Sequence, residues 1–292
     1  MRRITAALAA ALALAAPAAA QDETTADVAI ATEPSAWRTV PAENLLVIDT
    51  NRGRVLVEMA PLAAPAHVER MRLLARRGFF DNLTWHRVID WFMAQTGDPL
   101  GNGEGQSAFP DLVAEFTFRR GAEMPFTPVA SPAGAVVGFM GSLPMASQPD
   151  SLMALTGDNR VHGWGVYCAG VAGMARGEAN DSANSQFFLM RQPYPSLDKR
   201  YTAWGRVVSG LDVVRALKAG DDASGAVADS PDVMTRVRVA TDLPAGERPV
   251  VRMLDTETDR FAELADATRR ARGADFSICD IDLPVEVTTP GS

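Results

Sequence analysis

Histidine, cysteine and tyrosine are scarce in this chain: 292 residues hold three, two and three of them. His67, His86 and His162 show no metal-ligand spacing, so no metal site is expected. The two cysteines form no Cys-x-x-Cys, which argues against a dithiol redox centre. A Gly-x-Ser-x-Gly elbow is missing, and with it the common entry to serine hydrolysis. The Gly-rich stretch 97–105 is not followed by Lys-Ser/Thr or by a helix-opening pattern. It therefore suits a tight loop beside a site better than a phosphate cradle. Past residue 20 no second hydrophobic span follows to hold the chain in a bilayer, so no stable membrane insertion is expected. Positive charge is also in deficit, with 28 Lys and Arg against 36 Asp and Glu. Such a surface repels nucleic acid and anionic lipid.

What is present allows a sizeable core, since 47% of residues are apolar. The length suits one large domain with additions, or two small ones. Residues 1–20, MRRITAALAAALALAAPAAA, have the pattern of a secretory signal peptide. Arg2 and Arg3 supply the positive start, an Ala/Leu stretch follows, and Ala18-Ala19-Ala20 offers the cleavage site before Gln21. Export is expected, to the periplasm if the source has an outer membrane. In an oxidising compartment Cys168 and Cys279 either pair, tying the C-terminal tail to the body, or remain two buried free thiols.

Residues 21–36 are polar and aperiodic and read as a flexible leader. From Trp37 the pattern becomes regular. Residues 45–50 and 54–59 are β-rich runs joined by Asn51-Arg52-Gly53, a hairpin signal. A helix is expected over 64–77, with Pro65 in its first turn, Val68, Met71, Leu74 and Ala75 inward, and Gly78 as its stop. Residues 85–95 read as strand, bend, strand. The proline-punctuated segment of about 119–165 reads as a loop-rich insertion carrying a hairpin at 134–140. Strands are expected at 166–174, 186–190, 203–208 and 233–240, with a short helix at 211–218. A C-terminal extension, 244–292, adds an amphipathic helix over 255–272 and an alternating tail. Many short strands with two central helices argue for a mainly β, closed or sandwich architecture.

Two segments carry the chemistry. The first is Trp85-His86-Arg87-Val88-Ile89-Asp90-Trp91-Phe92-Met93-Ala94-Gln95-Thr96-Gly97-Asp98. The second comprises Gly173-Met174-Ala175-Arg176, Asn184-Ser185-Gln186-Phe187-Phe188-Leu189 and Leu197-Asp198-Lys199-Arg200-Tyr201-Thr202-Ala203-Trp204-Gly205-Arg206. Strand alternation puts Arg87, Met93 and Gln95 on one side, and a bend near Asp90 would bring Phe92 round to them. By periodicity alone the ordinary reading is a surface arginine on a strand above a core of Phe and Met.

Taken together, the two segments resemble the signatures of the cyclophilin family of peptidyl-prolyl cis/trans isomerases, over roughly residues 45–240. The resemblance implies a closed eight-stranded antiparallel barrel capped by two helices, spanning 37–243, with the substrate groove on its outer face. It implies Arg87 as the essential arginine, and Phe92, Met93, Phe188 and Leu197 as walls of a proline pocket. Gln95 and Gln186 would bind the substrate backbone, Gly103 would line the adjoining groove, and Ala175 and Arg176 would pair with residues preceding the proline. Tyr201 and Ser196 stand where eukaryotic members carry His and Trp, which implies weak cyclosporin binding. Asp90-Trp91 replaces the usual Pro-Gly, and Arg176 replaces a frequent Asn, adding a cation that would favour acidic partners. No cofactor is implied. The expected partners are proline-containing, unfolded or partly folded exported proteins, met by a monomer. The alternative is a proline-binding chaperone or assembly module on the same barrel with little catalysis.

Overall fold

The computed structural model describes residues 34–221 and 224–289; the expected signal peptide and nearly all of the expected leader lie outside them. Chain order begins with β1 (Trp37–Thr39) and the hairpin β2 (Leu45–Thr50) and β3 (Gly53–Met59). Helix α1 (Pro65–Arg76) precedes a second hairpin, β4 (Arg87–Val88) and β5 (Met93–Thr96). The middle of the chain forms β6 (Phe118–Arg120), β7 (Thr127–Ala130), β8 (Val136–Met140), β9 (Leu143–Ser147) and β10 (Val161–Gly165). Next come β11 (Val171–Met174), β12 (Phe187–Met190), β13 (Ala203–Ser209), helix α2 (Leu211–Ala216) and β14 (Met234–Val239). β15 (Val250–Leu254), helix α3 (Asp259–Arg272) and β16 (Val285–Thr288) follow.

Local chemistry fixes several of these boundaries. In the β2–β3 turn, Gly53 takes φ 139°, a value that side chains rarely allow. Thr50 Oγ1 there accepts from the Arg52 N–H and donates to the Gly53 carbonyl. Helix α1 starts on Pro65 and ends before Gly78, which sits at φ 65°. Its inward residues Val68, Met71, Leu74 and Ala75 are buried in the core, as their spacing requires. Helix α3 begins later than its charge pattern suggests, because Thr258 caps it by accepting from the Phe261 N–H.

The main sheet is antiparallel, in the order β14-β2-β3-β13-β11-β12-β5-β4. It is an open half-barrel curving through 228°, which corrects the expectation of a closed barrel. The edge strands β14 and β4 form no ladder with each other, and β4 has only two residues. Isolated bridges, Thr84 to Val233 and Arg87 to Ala226, link the segments beside them instead. Inside the curve, Phe187 meets Phe80, Trp85 and Trp204 edge to face.

Residues 119–165 are not the loop-rich insertion their prolines suggest. They supply most of a second antiparallel sheet of five strands, in the order β6-β10-β9-β8-β7. Pro128 is tolerated because β7 is an edge strand, where a missing N–H breaks no central ladder. Pro144 lies outside the β9–β10 register, which runs only from Met145 to Ser147.

The C-terminal extension is likewise no separate appendage. β15 pairs on one side with β16 and on the other with β1, so a segment near the start of the folded chain belongs to it. Ala36, assigned to the leader by composition, is buried, and its carbonyl accepts from the Asp255 N–H. Phe261 of α3 meets Phe139 of the second sheet edge to face. A Cys168–Cys279 disulfide forms, resolving the alternatives left open by the sequence. Glu58 on β3 joins all three sheets: it receives two hydrogen bonds of 2.7 Å from Arg38 of β1, and one from the Ser142 N–H in the β8–β9 turn.

Removing the charge of Glu58 leaves the mostly buried Arg38 guanidinium without its carboxylate. Glu58→Gln is expected to cost about 3 kcal/mol of stability, since the charge then stays in a poorly solvated site with only the unbonded Asp255 and Glu257 to offset it. Chemical denaturation beside wild type checks this; an unchanged midpoint would count against it.

Candidate active site

A tight turn closes the β4–β5 hairpin, with the Phe92 N–H on the Ile89 carbonyl and the Ile89 N–H on the Met93 carbonyl. Across it Arg87 lies opposite Gln95. Arg87 is half-buried. Its Nε donates to the Ser224 carbonyl at 2.8 Å, and its Nη1 donates to Gln95 Oε1 at 3.2 Å and lies 3.9 Å from Met93 Sδ. Ser224 is itself held by Asp221, whose carboxylate takes both its N–H and its hydroxyl. Among the described residues no carboxylate forms an ion pair with Arg87, and its Nη2 has no hydrogen-bond partner. Burial lowers its pKa, with the nearby Tyr201 phenol opposing the shift, but a guanidinium remains charged throughout the working range. Among the described residues the site thus holds a fixed positive charge without an ion-pair partner and with donors to spare.

The apolar walls come from β5, β12 and the segment before β13. Met93 is buried, and Phe92 is half-buried beside Tyr194, the ring centroids 4.6 Å apart. Phe188 stands opposite Gln95 across the β5–β12 ladder and stacks on Tyr167 at 5.9 Å. Tyr201 meets Phe188 edge to face. Leu197 is buried, and its N–H donates to the Tyr194 carbonyl. Gly173, opposite Phe188 on β11, makes this packing possible. A Cβ there would lie 2.4 Å from the Phe188 ring and 2.8 Å from Tyr167.

An amide relay runs from the cation toward the loop. Gln95 Nε2 donates to Gln186 Oε1, and Gln186 Nε2 donates to the carbonyls of Gly103 and Gly105. Asp98 organises that loop. Burial would raise its pKa, but N–H groups of Leu100, Gly103, Asn102 and Gly105 outweigh this and lower it. Gly105 allows the close approach, since a Cβ would sit 1.9 Å from Asp98 Oδ1. Beyond the relay lies an open cavity of about 290 Å³, bordered by Gln95, Gly103, Ala175, Arg176, Asn184 and Gln186.

The structure therefore groups Arg87, Met93, Gln95, Gln186 and Gly103 through direct contacts, with Phe188 opposite Gln95 on the same ladder. Phe188 and Tyr201 form one wall, and Phe92 and Leu197 are connected through Tyr194. Ala175 donates its N–H to the Gln186 carbonyl. Arg176, expected as a cation beside the substrate strand, is also held by local contacts. Its Nε donates to the Arg200 carbonyl and its Nη1 to those of Gly177 and Glu178, and its guanidinium lies over the rings of Tyr201 and Phe116. It serves first as a packed strut. Sequence reasoning missed Tyr167, Tyr194, Ser224 and Gly173. Only Gly173 carried a usable signal, as a glycine inside a strand pattern, which marks close approach.

Comparison with known proteins agrees with this geometry. Residues 45–239 match the model of the family described as cyclophilin type peptidyl-prolyl cis-trans isomerase/CLD. A probable peptidyl-prolyl cis-trans isomerase of Brucella suis is 31% identical over 211 residues, covering 68% of this chain and 84% of the relative. A peptidyl-prolyl cis-trans isomerase-like 1 of Aspergillus fumigatus is 30% identical over 172 residues, covering 59% of this chain and 80% of its own length. The crystal structure of the cyclophilin AquaCyp293 from Hirschia baltica superimposes with a TM-score of 0.80 at 31% identity, covering 91% of this chain and 98% of that one. This last likeness extends beyond residues 45–239.

Asp198 follows the pocket residue Leu197 and accepts from the Tyr167 N–H. Burial pushes its pKa up to about 6, against the lowering effects of that hydrogen bond and of Lys199. Between its ordinary value of 3.8 and about 6, the folded chain holds a proton that the unfolded chain has released. Its contribution to stability is therefore full below the lower value and is lost as pH rises through the upper one. Asp198→Asn should gain in melting temperature relative to wild type between pH 4 and pH 7. A difference that stays constant with pH would contradict this.

Proposed function

The chain belongs to the cyclophilin-type peptidyl-prolyl cis-trans isomerase family, and from that premise we propose that it assists folding of exported proteins by twisting X-Pro bonds against Arg87. The observation carrying this reading is the Arg87 guanidinium, fixed by the Ser224 carbonyl, free of any ion pair among the described residues and set between Met93 and Gln95. A planar peptide bond resists rotation by about 18–20 kcal/mol because the nitrogen lone pair is shared with the carbonyl. Twisting localises that pair on nitrogen, where a donor that was unimportant to the planar form gains a strong acceptor. Interactions that strengthen only in the twisted form speed the step. The guanidinium supplies them without reorganising, since its neighbours already hold it. No bond is broken and no proton needs to be moved.

Holding the substrate falls to the rest of the site. The proline ring enters between Phe92, Met93, Phe188 and Leu197. The backbone before the proline lies along Ala175, with Gln95 and Gln186 as its polar contacts, toward the cavity beside Gly103. Both glutamine side chains are already hydrogen-bonded to one another, so a bound backbone meets oriented amides rather than mobile ones. The clients are proline-containing chains, unfolded or partly folded, met after export. A binding module without catalysis is the second reading, favoured by one observation: Asp90-Trp91 stands in the turn beside the pocket where the family usually has Pro-Gly, and the Trp91 ring stacks on Phe92.

Replacing Arg87 by alanine separates the two. Cis-trans exchange of a prolyl peptide, followed by magnetisation transfer, should slow by a factor on the order of 10²–10³ in kcat/KM. Equal rates for both proteins would favour the binding module. Export is tested by sequencing the N-terminus of the protein made in an outer-membrane host: a periplasmic product starting at Gln21 is expected, and one retaining Met1 in the cytosol would overturn it.

A further inference from the structure

Trp91 has no part in the proposed isomerisation, yet its large apolar side chain stays 61% exposed. Single exposed aromatics are ordinary on protein surfaces and need no explanation by themselves. This one is mounted differently. Its ring stacks on Phe92 at 5.8 Å with an angle of 25°, and Tyr194 lies 6.2 Å away, tilted toward both. The Trp91 surface is thus continuous with a wall of the proline pocket.

The ledge is also rigid. Asp90, beside Trp91 in the turn, accepts from Arg191 Nη2 at 2.7 Å. Arg191 is buried and donates further to the carbonyls of Leu217 and Arg215. The backbone N–H groups of Arg191 and Gln192 both reach the Phe92 carbonyl. Tyr194 is fixed from another direction, its N–H on the Tyr167 carbonyl. The backbone that carries these three aromatic side chains, in two separate segments, is therefore fixed before any ligand arrives, a condition that favours affinity from stacking.

Its place along the groove suggests what it meets. Under the reading given above, residues before the proline lie near Ala175, Gln95 and Gln186. The Ala175 N–H binds the Gln186 carbonyl, whereas Phe92 is reached from Arg191, five positions further along the same segment and roughly 16 Å away at strand spacing. A chain leaving the pocket in the opposite direction from Gln186 passes Phe92 and then Trp91. We propose that Trp91 and Tyr194 form a subsite for the side chain of the residue immediately after the proline, selecting aromatic residues there. The inference rests on the isomerase reading for its direction, and on the ledge alone for its chemistry.

Peptides of the form Ala-Ala-Pro-X-Ala, with X as Phe, Leu or Gly, test it by two readouts: affinity by titration, and exchange rate by magnetisation transfer. Wild type should bind the Phe peptide about ten-fold more tightly than the Gly peptide, Leu falling between. The preference should appear in KM rather than kcat. Trp91→Ala should reduce the Phe-to-Gly ratio to about two, while Trp91→Phe retains most of it. A wild-type ratio below two, or an unchanged ratio in Trp91→Ala, overturns the subsite. Absence of catalysed exchange with every peptide would instead overturn the isomerase reading, and the affinity ratio would still decide the subsite.

Discussion

The register between β5 and β12 is the constraint on which the site depends. It sets Phe188 opposite Gln95 and Met190 opposite Met93, joining two segments whose paired glutamines are 91 residues apart in sequence. Side chains alternate across a sheet, so a slip of one residue would exchange Phe188 with Phe187. Phe187 would then leave its contacts with Phe80, Trp85 and Trp204, and Phe188 would be driven into the core. The aromatic cluster within the half-barrel thus fixes which phenylalanine is left for the pocket. Core packing and site assembly are the same event.

A second constraint is the cost of keeping Arg87 uncompensated. A half-buried guanidinium with no carboxylate partner among the described residues is poorly solvated, and burial alone disfavours its charge. Neutral acceptors offset part of this: the Ser224 carbonyl and the Gln95 side chain orient the group without neutralising it. An acid in the same place would stabilise the resting protein better and weaken the cation's pull on a localised lone pair. Two other poorly exposed cations show the contrast. Arg38 is matched by Glu58, and Arg191 by Asp90, each holding structure together.

Much of this was legible in the sequence where residue order and local chemistry coincide. The run from His86 to Asp98 carries the hairpin, its turn and the polar residues in one stretch, so Arg87, Met93 and Gln95 could be grouped before any contact was visible. The hairpin at Asn51-Arg52-Gly53 and helix α1 were equally plain, because caps and turn residues act locally. What could not be read depends on distant partners. The open seam of the half-barrel follows from how short β4 is and from which segments lie beside it. Apart from one expected hairpin, the strands between 118 and 165 were hidden by prolines: Pro128 sits on an edge strand, and Pro144 pairs within the β8–β9 ladder but lies outside that of β9 and β10. The pairing of β1 with β15 joins opposite ends of the described chain, and no periodicity in either segment announces it.

Arg176 shows how the distribution of charge around the groove has to be read from contacts rather than from composition. As a bare position it adds a cation beside the substrate strand and points to acidic clients. In the folded chain its Nε and Nη1 are engaged by three backbone carbonyls and its face by two aromatic rings, which leaves Nη2 to meet a carboxylate. Its field persists, but field alone is screened over about 10 Å at ordinary ionic strength. Glu104 and Asp111 also border the same cavity and oppose it. On the other side of the proline pocket, beside Phe92, the exposed Trp91 ring adds apolar surface instead of charge.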